Sequence, residues 1–298
     1  CSASLDGGVL YSEQQTRVYD CDLTGIAITG RGGVACLADA YLQVQDSVLQ
    51  GHAGLEGGAI YAVDRGPSLT RCSVGGTSAG NGGAMCIERG SVSLLDCMIR
   101  GSSLSGGFGG GLYVADSGLN SMEGCQFSDC HAHSGGAIYA TSTGWLRASG
   151  SELKDCSAMG SAQTPGLGGA VYCDERMPWR ETLFVRNSAR GQFGSAGGAF
   201  YGIGAFTDCT FANNEASSMG ATMVNALTAA QAGTLQTVHC IMAGSLSGGV
   251  PHAFGFVPIS RSVIEGGAPG SQIIDADPQF WGHDDFHLLP DSPARKQV

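Results

Sequence analysis

The fold this sequence predicts is all-β, a single-stranded right-handed parallel β-helix, and three observations predict it. A short strand motif opening with a glycine pair recurs at a nearly fixed interval, and a second strand motif recurs between its copies. No window of a dozen residues shows helical periodicity. The expected architecture is a solenoid of about ten coils of roughly 25 residues each. It fills residues 1–298 as one domain, with a closing coil over 265–298.

The first motif reads "GGVLY" at Gly7, "GGVAC" at Gly32, "GGAIY" at Gly57, "GGAMC" at Gly82 and "GGGLY" at Gly109. It continues as "GGAIY" at Gly135, "GGAVY" at Gly168 and "GGAFY" at Gly197, giving steps of 25, 25, 25, 27, 26, 33 and 29 residues. Degenerate copies follow at Met219 ("MGATMV") and Ser247 ("SGGVPH"). A period of this size marks a solenoid, in which each unit buries its apolar face only by stacking on its neighbours. Equivalent positions should then form ladders. Tyr11, Cys36, Tyr61, Cys86, Tyr113, Tyr139, Tyr172 and Tyr201 make one; Leu10, Ala35, Ile60, Met85, Leu112, Ile138, Val171 and Phe200 make the next.

The second motif places a small Cys, Ser or Thr two residues before a large apolar one: "YDCDL" ending at Leu23, "QDSVL" at Leu49, "TRCSV" at Val74, "LDCMI" at Ile99 and "EGCQF" at Phe127. It goes on through "SGSEL", "RETLF", "TDCTF", "VHCIM" and "SRSVI", the last ending at Ile264. Period-two alternation puts both residues on one face, expected to be the interior. Two strand motifs per coil at a rise of about 4.8 Å give a rod of roughly 50 Å. The longer steps locate insertions, and "SAQTPG" before Gly168 and "DERMPW" after Cys173 read as loops bulging from the rod.

Composition agrees. Glycine supplies 49 of 298 residues, far above the usual level of about 7%, yet shows no collagen period. With 43% hydrophobic and 14% charged residues the chain is not of the disordered class. A net charge of −11 argues against nucleic acid and against electrostatic docking on anionic lipid. No apolar run reaches the roughly 20 residues of a transmembrane helix. The chain starts abruptly within a repeat, at "CSASLDGGVLY". Cys1 followed by Ser2 is how a lipid-anchored bacterial lipoprotein begins, and a fragment boundary on a cysteine gives the same start. The first coil carries no polar cap in this sequence, so the stretch is expected to be a fragment of a longer chain whose preceding coils cover its strand edge, or that edge is expected to recruit a protein partner or a second copy.

Both repeated elements resemble the "GGA(I/L/V)" and "FxxN" repeats of chlamydial-type polymorphic outer membrane proteins. Here they are "GGAIY" and "GGAFY" with "FVRN" at Phe184–Asn187 and "FANN" at Phe211–Asn214. "FSDC" and "LKDC" depart from the second element, placing Cys130 and Cys156 where its Asn would sit. The tail "IIDADPQFWGHDDFHLLPDSPA" resembles the closing coil of bacterial right-handed β-helix surface proteins. The resemblance implies a secreted or cell-surface protein, outer-membrane associated in some relatives, serving as an adhesin or as a structural part of an extracellular or envelope assembly. Partners would be proteins and glycans.

Twelve cysteines in an extracellular chain invite a disulfide reading. Stacked positions such as Cys72, Cys97 and Cys125 have Cβ atoms about 4.8 Å apart, beyond the usual 3.5–4.5 Å of a disulfide, so core thiols are expected there. Cys130 and Cys156, at equivalent turns of adjacent coils, are the candidate pair. "DCHAHS" gathers Cys130, His131 and His133, with Asp155 and Cys156 on the next coil, but reads better as a polar turn with solvated histidines than as zinc ligands. No metal and no other cofactor is expected. Pectin lyases and polygalacturonases share the predicted fold and work with acidic clusters on an exposed face. The weak catalytic candidates of that kind are His283, Asp284 and Asp285 in "GHDDFH"; the polygalacturonase signatures are absent as a set, and the reading is non-catalytic.

Overall fold

A computed structural model of the chain describes residues 6–103, 106–141, 145–192, 194–225, 237–244, 253–255, 258–282 and 284–296. It is an all-β parallel solenoid of about eight turns of roughly 26 residues, not ten. The regular turns end near Thr207, and later rungs shrink to short strands such as Met223–Asn225 and Ala253–Gly255. Among the described residues every strand pairing is parallel apart from an isolated antiparallel bridge, Phe280 to Leu288, in the tail. No helix among the described residues is long and apolar enough to cross a membrane.

The predicted ladders form in the predicted register. Leu10 pairs with Ala35, Ala35 with Ile60, Ile60 with Met85 and Met85 with Leu112. In the second motif Leu49 pairs with Val74, Val74 with Ile99, Ile99 with Phe127 and Phe127 with Leu153. Both ladders point inward and are buried, apart from the half-buried Leu10 of the first rung. Toward the C-terminal half the core turns aromatic: Phe184 stacks on Phe211 at 4.7 Å and meets Trp179 edge-on at 5.0 Å.

Each turn has three strands rather than two. One complete turn runs through Ala35–Ala38, Leu42–Gln45 and Val48–Ala53. The middle strand leaves no repeated motif in the sequence, because its segments ("LQVQ", "PSLT", "SLL") share only alternation, not identity, from turn to turn. From Gln126 onward the third strand also breaks in two, as in Gln126–Ser128 and His131–Ala132, at a corner residue with positive φ. "DERMPW" is not a bulging loop. It lies in one long strand, Val171–Arg180, with a register shift between Cys173 and Met177, and Met177 and Trp179 are core residues.

The glycine pair serves two different needs, seen at Gly135–Gly136. Gly135 sits at φ +60°, in the left-handed region. At Gly136 the next rung comes so close that a Cβ would lie 2.1 Å from the carbonyl oxygen of Gly169 and 2.7 Å from the backbone nitrogen of Ser157. Most of the remaining corners are turned by non-glycine residues at positive φ, chiefly Asp or Arg: Asp39, Asp64 and Arg89 on one edge, Asp46, Arg71 and Asp96 on another, where Gly124 and Gly150 follow. Asp tolerates this conformation because its carboxylate is short and bonds locally. Where an Arg follows an Asp at the next rung, the stacked corner residues attract rather than repel. Arg71 Nε donates to Asp46 at 2.6 Å and Arg89 Nε to Asp64 at 2.7 Å.

The interchange of Cys, Ser and Thr in the second motif has a single cause. Each side chain donates to the carbonyl two residues back: Ser47 Oγ to Gln45 at 2.7 Å, Cys97 Sγ to Leu95 at 3.2 Å, Thr182 Oγ1 to Arg180 at 2.7 Å. Its oxygen or sulfur also accepts the backbone N–H of the preceding rung, as Ser151 does from Cys125 at 3.1 Å. Any small donor–acceptor fits. The described cysteines are all free thiols, and all are buried but Cys21. Burial pushes the Cys36 thiol up to about 11 and raises Cys173 further. Alkylation of the native protein at neutral pH is therefore expected to label Cys21 promptly and the buried thiols only after denaturation, with no reductant needed. Peptide mapping that found Cys72 bridged to Cys97 would overturn the ladder.

Candidate functional site

One acidic corner of the solenoid forms an open depression together with the tail. Along that edge Glu181 and Asp208 follow each other on successive rungs, both at positive φ. Glu152 and Thr210 project beside them from the outer face of the third sheet. The tail segment crosses in front and adds Asp284, Asp285 and His287. The result is an open groove lined by five carboxylates, one imidazole and the ring of Phe286.

Several of these acids are engaged by neighbours. Arg186, at a corner of the same region, donates to both oxygens of Asp155 at 2.7 and 2.9 Å and also grips Asp284, tying the tail to the rod. Asp285 accepts the backbone N–H of His287 at 3.0 Å and contacts its ring at 2.6 Å, which fixes the tail's own turn. Asp208 faces His239 at 3.3 Å, and Glu152 accepts from Gln126 Nε2 at 2.6 Å. Asp284 and Asp285 thus share one groove, at its open rim, where their side chains are 75% and 53% exposed. The third candidate, His283, lies outside the described residues. The backbone N–H and ring of His287 hold the Asp285 carboxyl below its usual range. A general acid for glycoside cleavage needs the opposite shift. As it stands, the groove offers anionic acceptors for cations or for the hydroxyls of a polar ligand.

The same arginines set a pH dependence. Hydrogen bonds from Arg186, Arg71 and Arg89 hold Asp155, Asp46 and Asp64 below their ordinary value of 3.8. A folded-state pKa below the unfolded one contributes stability above the carboxylate range, and that stability is lost as pH falls through the folded value. The denaturation midpoint is expected to hold from neutral pH to about 5 and to drop below about 4. A midpoint that stayed level or rose on acidification to about pH 3 would show these pairs to be idle.

The other sequence candidates separate. Cys130 points into the core, whereas His131 is exposed and contacts Ser157 Oγ at 2.7 Å, and His133 contacts Thr164 Oγ1 at 3.2 Å. Alternation along the strand puts the thiol and the imidazoles on opposite faces, so they do not converge. Cys130 and Cys156 do stand on adjacent rungs as buried free thiols, and they occupy the slot that Asn187 and Asn214 fill further along. Cys130 Sγ reaches the carbonyl of Ile99 at 3.7 Å and Cys156 Sγ that of Phe127 at 3.9 Å; Asn187 and Asn214 reach the matching carbonyls of Leu153 and Phe184 at 2.9 Å.

On the outer surface the predicted tyrosine ladder forms, and the sequence did not indicate its ring stacking or an acidic cluster beside it. Tyr113, Tyr139, Tyr172 and Tyr201 stack face to face at 5.6, 4.5 and 5.7 Å, so that hydroxyl edges rather than ring faces line the rod. Beside the start of that stack, Glu56, Cys86 and Glu88 bring their side chains together. The signal was present in Glu88, two residues after a ladder position, but Glu56 belongs to no repeated motif. No protein-family model matches the chain, and no curated protein matches its sequence.

Proposed function

We propose that this chain is a non-catalytic β-solenoid displayed outside the cell or on its surface, serving as an adhesin or as a structural component of an extracellular or envelope assembly. The observation that carries this reading is where the repeated residues are used. The glycine pairs, the Cys/Ser/Thr ladder and the Asn ladder all serve contacts between rungs, so this repetition builds a rod. The resemblance to polymorphic-outer-membrane-protein repeats supports the same reading, as does the acidic charge of −11, which disfavours nucleic acid. The row of tyrosine hydroxyls suits a glycan or an extended protein partner. Val9, Leu10, Val18, Leu23 and Leu42 line an apolar opening onto the core, a surface suited to a further coil, of this chain or of a partner.

A polysaccharide-acting enzyme is the second reading, and the acidic groove favours it. One experiment separates the two. The chain is offered immobilised acidic and neutral glycans and cell surfaces for binding. In parallel it is incubated with the same polysaccharides, with and without Ca2+, while reducing ends and unsaturated products are followed. Binding without turnover is the expected result. Turnover that disappears in Asp284→Asn or Asp285→Asn would replace the surface reading by the enzymatic one.

A further inference from the structure

The outward ladder of the first sheet runs Tyr11, Cys36, Tyr61, Cys86, Tyr113 and Tyr139. From Tyr113 onward, ring stacks on ring. At Cys86 a ring is missing, and the thiol stands between Tyr61 on the rung before and Tyr113 on the rung after, wholly buried. Like Cys36 on the same ladder, it differs from most of the buried thiols. Cys72, Cys97, Cys125, Cys156, Cys209 and Cys240 each donate to the carbonyl two residues back, at 3.1 to 3.3 Å. Cys86 Sγ makes no hydrogen bond to any described residue.

Two carboxylates occupy the space where the ring would be. Glu88 follows Cys86 by two residues and shares its face of the strand Met85–Glu88. Glu56 arrives from the previous turn, just ahead of the glycine pair at Gly57. One ligand atom from each of Glu56, Cys86 and Glu88 lies within 4.8 Å of the other two. Each carboxylate is steadied through a single oxygen. Arg31 Nε donates to Glu56 Oε2 at 3.2 Å, and the Tyr61 hydroxyl donates to Glu88 Oε2 at 2.9 Å. The second oxygen of each is left for a ligand. Arg31 in turn lies over the Tyr61 ring at 5.0 Å, so the two supporting groups hold each other in place.

We propose that Cys86, Glu56 and Glu88 form a binding site for a borderline divalent metal ion of the Zn2+ class, with the thiolate and one oxygen from each carboxylate as ligands. A thiolate selects against Ca2+ and Mg2+, which take oxygen ligands, whereas Zn2+ accepts sulfur and carboxylate oxygen together. Three protein ligands leave a fourth tetrahedral position for water. Charge closes: two carboxylates and a thiolate carry three negative charges, against the divalent ion and the Arg31 guanidinium. On binding, the Cys86 S–H bond breaks, its proton goes to solvent, and the sulfur–metal bond takes its place. The Glu56 side chain is 21% exposed, so an ion enters past the carboxylates and reaches the thiol at the floor. Arg31 and Tyr61 are positioned as the outer partners that orient ligating carboxylates.

The test is titration of the full, reduced chain with Co2+ alone, followed by Zn2+. The expected result is a near-ultraviolet thiolate-to-cobalt charge-transfer band with tetrahedral visible bands, saturating at one ion per chain and displaced by Zn2+. Cys86→Ser should abolish the charge-transfer band, and Cys21→Ser should leave it intact. Tyr61→Phe should weaken Co2+ binding by about 10- to 100-fold, the usual cost of losing an outer partner. Absence of the band, or its persistence in Cys86→Ser, overturns the site. Should Cys86→Ser lose its β-type circular dichroism, Glu56→Gln and Glu88→Gln decide the matter: weakened Co2+ binding in both supports the site, and unchanged binding in either overturns it.

Discussion

Gly136→Ala is expected to destabilise the protein by about 4 kcal/mol or more, at the extreme of single substitutions. The methyl group would lie 2.1 Å from one backbone oxygen of the next rung, at Gly169, and 2.7 Å from backbone atoms of Ser157. Both obstacles are main chain in paired strands, so neither can swing aside as the end of a side chain could. The rungs must part. Each turn of a solenoid touches only its neighbours, so the damage should be local. Hydrogen exchange should quicken on the rungs around Ile138 and Val171 while the strands from Ala35 to Thr70 keep their protection. Gly118→Ala is the matched control, because a Cβ there meets nothing within 4 Å. It should be neutral or add up to about 1 kcal/mol by restricting the unfolded chain. Equal midpoints for the two variants in chemical denaturation would refute close rung approach as the reason for the second glycine.

What could be read from the sequence follows from what repeats. The inward ladders from Leu10 and from Leu23 were legible because a core position stacked on its own equivalent must stay apolar in every turn. The Cys/Ser/Thr slot was legible for the same reason, although its cause, a bond to the carbonyl two residues back, needed coordinates. The middle strand was not legible. Its outward residues, such as Gln43, Ser68 and Ser93, meet solvent, and its inward ones range from Leu, Val and Met to Pro67, Asn120 and Ala148. Trp179 misled for a related reason: it follows a Pro within a charged stretch, yet the strand resumes its register at Met177 and buries the indole, whose Nε1 finds no partner. Of the acidic groove, "HDD" pointed to Asp284 and Asp285. Glu152, Glu181 and Asp208 join them only because three rungs and the tail converge, a proximity across more than 100 residues of chain that no local pattern encodes. Glu56 and Cys86 are in the same position, brought together by the pitch of the solenoid.

The asparagine ladder gives the second large effect. Asn187 is fully buried, and its side chain answers three groups at once. Its Nδ2 donates to Leu153 O at 2.9 Å and to Asn214 Oδ1 at 3.1 Å, while its Oδ1 accepts the Cys156 N–H at 3.1 Å. Asn187→Leu keeps roughly the volume and removes every one of these bonds. The Leu153 carbonyl and the Cys156 amide would then be buried without partners, at about 1–3 kcal/mol each, so a total loss of about 2–6 kcal/mol is expected. Asn187→Cys should cost distinctly less. A thiol in this slot still points at the same ladder carbonyl, as Cys130 and Cys156 do at 3.7 and 3.9 Å, and bonds its own chain two residues back, as Cys156 does to Lys154 at 3.1 Å. The reverse change, Cys156→Asn, extends the ladder by one rung and should fold. If Asn187→Leu and Asn187→Cys lost equal stability in denaturant titrations, the slot would be selecting for size. A graded loss, Leu worst and Cys between, is the outcome the hydrogen bonds require. It would also explain why one corner of the rod is written with cysteine in two turns and asparagine in the next two.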